Sequence, residues 1–247
     1  MEEIIRNKEY RLYILDGHGT CCSDDPRPVP SALTHPLRGG AMSSTQSSSM
    51  TLPQHIVVER DACLDMVLLV YPGVSCDIRL DVTLAGEGAQ ANIYGAYVCG
   101  GEEKVKIAVD MHHDMPHCNS RQLFKGIAGG KSKVDFYGKI IVAQDAQRTE
   151  AYQENHNILL SDDAKVDTKP QLEIYADDVK CSHGATIGRL NEEEQFYMRS
   201  RGITLEDAKV LQMISFIAPV LEQIPEEERE TVAAHLEDAI RNIVKNQ

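Results

Sequence analysis

Runs of alternating or β-branched residues recur from about residue 55 to 187, among them Ile56-Val57-Val58, Val67 to Val70, Ile78 to Leu84, Val105 to Val109 and Lys139 to Val142. Gly, Asp and Asn separate them and no helix-length period interrupts the stretch, so the pattern predicts many short strands. An internal echo accompanies it in Ala91-Asn92-Ile93-Tyr94-Gly95, Val134-Asp135-Phe136-Tyr137-Gly138 and Leu172-Glu173-Ile174-Tyr175-Ala176. Their tyrosines stand 43 and then 38 residues apart, which fits two turns of a β-solenoid at roughly 20 residues per turn, each stacking its inward apolar side chains on the next. A β-sandwich or jelly roll is the competing architecture, because it too is built from short strands, although it requires no repeat.

The period changes after Gly188. Asn191 followed by Glu194 is a capping-box pattern for a short helix that ends at Gly202. Thr204 with Asp207 starts a second helix, whose apolar stripe is Leu205, Ala208, Leu211, Ile214, Ala218 and Leu221. Pro225 opens a third, with Val232, Leu236, Ala239, Ile240 and Ile243 on one face. These stripes are expected to pack against each other and the solenoid end, with partner binding as the second reading. At the other terminus Tyr10 to Leu15 reads as a strand closed by Asp16-Gly17. The Pro- and Ser-rich residues 23 to 54 read as a mobile linker, too poor in apolar side chains to order themselves. The chain thus divides into residues 1–54 (strand and linker), 55–187 (β core) and 188–247 (helical subdomain).

Charge narrows the classes of partner. Among 247 residues, 25 Lys and Arg face 38 Asp and Glu, a net charge of −13, which disfavours nucleic acid and anionic lipid. The helical segment 191–247 carries 12 acidic and 6 basic residues, so its exposed side is negative. The start Met1-Glu2-Glu3 lacks the basic and apolar regions of a signal peptide, and the longest apolar runs, Met66 to Tyr71 and Ile214 to Leu221, are too short to span a bilayer. A cytoplasmic protein without membrane contact is expected. Seven cysteines, at 21, 22, 63, 76, 99, 118 and 181, form no CxxC pair and predict reduced thiols rather than a disulfide framework or a zinc ribbon.

Two stretches contain metal-ligating residue types. Cys181 and His183 are two apart; on a strand such side chains share a face, roughly 7 Å apart at the backbone, within reach of one metal ion or cluster edge. The plain alternative is one buried cysteine and one surface histidine. His112, His113 and His117 lie with Cys118 in a second group, which suits zinc or ferrous iron in composition but is so tightly spaced that a turn with hydrogen-bonded or solvated histidines is the competing reading. No phosphate-binding P-loop, GxSxG elbow or HExxH motif occurs in the sequence, so the chain is expected to be non-enzymatic, with ATP energy coming from a partner.

Read with its flanks, the segment from Leu172 through Cys181-Ser182-His183-Gly184-Ala185-Thr186 resembles the SufB/SufD family, and its SufD branch in particular. Phe196 to Ile203 continues the match. Upstream it includes His112-His113 with Pro116, Gly126, Gly138-Lys139-Ile140, Tyr152-Gln153 and Leu159 to Asp162. The resemblance is specific from about 110 to 205, extends back to about 55 and does not reach residues 1–54. It implies a mainly β protein, a right-handed parallel β-helix followed by a small helical subdomain. It further implies a scaffold or accessory role in iron-sulfur cluster assembly beside a SufC-like ABC-type ATPase, which the helical subdomain receives, and a second SufB-like or self core as pairing partner. His183 matches the histidine that SufD-like proteins contribute at the paired interface, with Cys181 its neighbour, and the cofactor implied is a transient iron-sulfur cluster or iron. Two departures stand out: family members usually carry a helical N-terminal domain and further turns, and the SufB branch uses a cysteine in the region of Thr149 to His156, where this chain has none. Two other readings are a homodimeric binding protein that docks the ATPase but has lost cluster chemistry, and a β-helix enzyme acting on acidic polysaccharide.

Overall fold

The computed structural model describes residues 2–16, 21–22 and 54–245. Its strands are β1 (Glu2–Ile5), β2 (Lys8–Leu15), β3 (Cys21–Cys22), β4 (His55–Val58), β5 (Cys63–Val70), β6 (Cys76–Leu84), β7 (Gln90–Cys99), β8 (Lys104–His113), β9 (Asn119–Ala128), β10 (Lys133–Val142), β11 (Glu150–Leu159), β12 (Lys165–Ile174) and β13 (Lys180–Gly188). The helices are α1 (Glu192–Ser200), α2 (Leu205–Leu221) and α3 (Glu226–Lys245). Most of the linker expected at 23–54 lies outside the described residues.

From β4 onward successive strands alternate between two sheets, ordered β1-β4-β6-β8-β10-β12 and β13-β11-β9-β7-β5-β2-β3. Every ladder is parallel except the short β2–β3 pair. The protein is therefore mainly β, a parallel solenoid of about five turns from β4 to β13, and not a sandwich of antiparallel sheets. From β4 onward equivalent residues on stacked strands lie 26 to 32 positions apart, as in Cys63, Gln90, Asn119, Glu150 and Lys180. This corrects the turn length of roughly 20 residues: Tyr94 lies on β7, Tyr137 on β10 in the other sheet and Tyr175 beyond β12, so the echo skips about one and a half turns. The apolar runs mark only the middles of strands; polar outward residues continue most of them to nine or ten residues.

One row of each strand points inward, and register stacks these rows into columns. Arg11, Met66, Ile93, Gln122, Gln153 and His183 form one column through the second sheet, and Leu64, Ala91, Ser120, Ala151 and Cys181 its neighbour. The first column is charged at Arg11, apolar at Met66 and Ile93, and polar from Gln122 to His183.

Strands β5, β7 and β9 also bury outward residues. Val67, Leu69, Ala96, Val98 and Ile127 pack against Val210, Met213, Ile217, Val220, Leu236 and Ile240 of α2 and α3. The helices thus lie along the flank of the second sheet and not over the solenoid end, because outward apolar residues on these strands need a cover that the end does not. The buried face of α2 also differs from the expected stripe: Ala208 and Leu221 are buried, but Leu205 and Leu211 are 42% and 49% exposed while Val210, Met213, Ile217 and Val220 turn inward. Asn191 and Thr204 cap α1 and α2 as expected. Gly202, at φ +90 beyond α1, takes the left-handed conformation that favours glycine. None of these helices is long and apolar enough to cross a membrane.

The two solenoid ends are unlike. At one, β1 and β2 add a turn whose inward Arg11 guanidinium donates to Glu3 Oε2 at 2.5 Å and Glu9 Oε2 at 2.9 Å, with Arg11 largely shielded from water. At the other, β12 and β13 are the last strands of their sheets among the described residues, and their outer edges carry no ladder partner.

Candidate functional site

β13 pairs in register with β11, Ala151 beside Cys181, Gln153 beside His183, Asn155 beside Ala185 and Asn157 beside Ile187. The four β11 residues are buried inside the solenoid, so the four on β13 belong to the inward row of the last layer. Cys181 and His183 therefore share a face, as their spacing predicts. Among the described residues no further layer covers them: Cys181 is half-buried against the core and His183 is exposed. Apolar side chains surround this end, with Ile174 39%, Ile187 46% and Tyr175 63% exposed.

Burial pushes the Cys181 thiol above its usual range, only partly offset by a hydrogen bond with the Ala151 backbone. It is protonated at neutral pH, and a soft metal or sulfide-bearing cluster would displace that proton on binding. Beneath the pair the interior is hydrogen-bonded: Gln153 Nε2 donates to Gln122 Oε1 at 3.1 Å, Asn157 Nδ2 to Asn155 Oδ1 at 2.6 Å, and the Tyr97 hydroxyl to Asn157 Oδ1.

The second histidine group is not brought together. His112 and His113 are successive residues of β8 and face opposite sides. His112 Nε2 points outward, 3.6 Å from Asp81 Oδ1, whereas His113 is fully buried with Nε2 2.9 Å from Ser120 Oγ. His117 sits exposed in the following turn at φ +62. Among the described residues no three His, Cys, Asp or Glu side chains are placed to hold a metal ion.

Sequence reasoning missed two groupings. On the outer face of the first sheet His55, Asp81 and Asp110 occupy one row, with His55 Nδ1 3.4 Å from Asp81 Oδ1; burial first and Asp81 second raise the Asp110 carboxyl above its usual range. The other is the inward pair Gln122 and Gln153 below His183. Both join residues one solenoid turn apart, and only the chain laid out at its true period would reveal them.

Beside the end of β11, α1 and α2 frame a groove of about 850 Å³ lined by Ile158, Leu190, Tyr197, Met198, Leu211 and Phe216. Phe196 on α1 is 73% exposed, so the α1–α2 surface carries an apolar strip inside an acidic subdomain.

Residues 42–216 match the family described as "SUF system FeS cluster assembly, SufBD core domain". The iron-sulfur cluster assembly protein SufD of Escherichia coli is 50% identical over 117 residues, 47% of this chain and 28% of that protein. An iron-sulfur cluster assembly SufBD family protein of Synechocystis is 39% identical over 147 residues, 60% of this chain and 32% of its own length. The chloroplastic protein ABCI7 of Arabidopsis thaliana is 39% identical over 150 residues, 60% and 30% respectively. The chain spans about a third of the length of these relatives. With the matched segment running from before β4 into α2 and taking in the layer that carries Cys181 and His183, the chain belongs to the SufBD family of iron-sulfur cluster assembly proteins.

Proposed function

We propose that this chain is a SufD-like accessory subunit that helps build iron-sulfur clusters without itself catalysing a reaction. The observation that carries the reading is the placement of Cys181 and His183 on one inward face of an uncovered last layer. A second core, SufB-like or another copy of this chain, would stack there and add its own ligands, making up the four that iron-sulfur centres commonly take. Iron and sulfide are cargo at such a site. Burial keeps the Cys181 thiol protonated, so the metal or cluster and the ligands a partner adds would have to displace that proton.

The apolar strip on α1 and α2, with its acidic surround, is the surface proposed to receive a SufC-like ABC-type ATPase, and work on soluble cytoplasmic partners suits the acidic chain. The family match gives no support to a polysaccharide-active enzyme. Anaerobic reconstitution with SufB-like and SufC-like partners, followed by visible absorbance, tests the proposal. His183→Ala is expected to fold and pair normally yet retain several-fold less cluster; wild-type retention would remove His183 from the site.

A further inference from the structure

Among the described residues the column ending at His183 contains two buried polar atoms without a hydrogen-bond partner, Gln122 Nε2 and, next to His183, Gln153 Oε1. Gln153 is 1% exposed, and its Nε2 is committed to Gln122 Oε1, but its Oε1 is buried without a hydrogen-bond partner among the described residues. An unsatisfied buried acceptor of this kind is destabilising and calls for an explanation. The amide has been given room: a Cβ on Gly138 of β10, across the interior, would overlap Gln153 Nε2. The next residue of the column, one strand spacing of roughly 4.8 Å away, is His183, which is exposed.

We propose that Gln153 is the positioning residue for His183, its side-chain carbonyl accepting the N–H of one imidazole nitrogen. A neutral imidazole has one donor and one acceptor nitrogen. Anchoring the donor on Gln153 fixes the tautomer and presents the unprotonated nitrogen, the one able to bind iron, to the open end. Outer groups of this type orient histidine ligands in metal sites and change affinity about 10- to 100-fold when removed. Gln122 holds the amide and Gly138 leaves it space, so three residues on β9, β11 and β10 aim one ring on β13.

This inference rests on the reading of His183 as a ligand, and its test separates the two. Long-range proton–nitrogen correlation spectra of the full chain labelled in histidine nitrogen report the tautomer of His183, assigned by its loss in His183→Ala. Wild type is expected to show one tautomer. Gln153→Met, which keeps length and removes the carbonyl, is expected to show a mixture of both and to bind ferrous iron at least about tenfold more weakly in the assembled complex. Gln153→Glu, which retains an acceptor, is expected to restore a single tautomer, and it keeps the test available if the Met variant does not fold. A tautomer mixture in wild type, or a folded Gln153→Met with the wild-type tautomer, overturns the inference. A tautomer shift in Gln153→Met alongside full cluster retention in His183→Ala upholds the positioning and overturns only the ligand role.

Discussion

Burial is the main cause of the state of His113. With no exposure to water, and with His112 as a second and smaller cause, its imidazole is pushed down to about 4. The unfolded chain binds a proton there near pH 6.5, but the folded chain resists it until about pH 4. The stabilisation from keeping His113 neutral is therefore complete above about pH 6.5 and is lost as the pH falls toward 4, a change of about 3 kcal/mol from this residue. In denaturant titrations the stability advantage of wild type over His113→Gln should shrink by that order between pH 7 and 4; a constant difference would show that the histidine is not desolvated. Tyr97 is a second case. Its buried hydroxyl contacts Asn157 and receives Asn155 Nδ2 at 3.4 Å, so Tyr97→Phe leaves both amides short of a partner and should lower unfolding free energy by about 1–3 kcal/mol.

The helices show what periodicity can and cannot decide. Caps at Asn191 and Thr204 and the α3 face are local signals; both caps appear as read, and of the face Val232, Leu236, Ile240 and Ile243 are buried while Ala239 is only half-buried. α2 is apolar around most of its circumference, so two stripes compete, and the winner is set by Val67, Leu69, Val98 and Ile127 on strands far away in sequence. Strand existence was legible from alternation; turn length was not, because polar outward residues lengthen strands without leaving an apolar mark. The shared face of Cys181 and His183 followed from their spacing, while the partner beneath His183 required the 30-residue step from Gln153. Two substitutions separate the faces of α2. Ile217→Ala should lower stability by about 2–5 kcal/mol, whereas Leu211→Asp should change it by less than about 0.5 kcal/mol yet weaken capture of a SufC-like ATPase in an equilibrium binding assay. Deleting α2 and α3 would not make this distinction, since it would uncover the flank of the second sheet.

At the scale of the whole molecule, β12 and β13 leave two strand edges and a half-exposed interior facing outward, with Ile174, Tyr175 and Ile187 around them. Open edges with apolar surroundings are sites of pairing, so the isolated chain should associate through this end, and Ile187→Glu should shift it to the monomer in sedimentation velocity without changing its circular dichroism. The opposite end behaves otherwise. A stacked-turn protein is in principle a segment of an endless fibre, since any layer can serve as the floor for the next. Arg11 and its two carboxylates interrupt that logic: a chain settling on the β1–β2 turn would have to strip water from an ion-pair triad and offer nothing in return. With growth disfavoured on the triad side, a head-to-head pair through β12 and β13 would use up the open end of both copies, and association of this chain is expected to stop at two. Neutralising the triad with Glu3→Leu, Glu9→Leu and Arg11→Leu should therefore do more than alter stability: it should turn a population of fixed size into one whose mean length climbs with concentration.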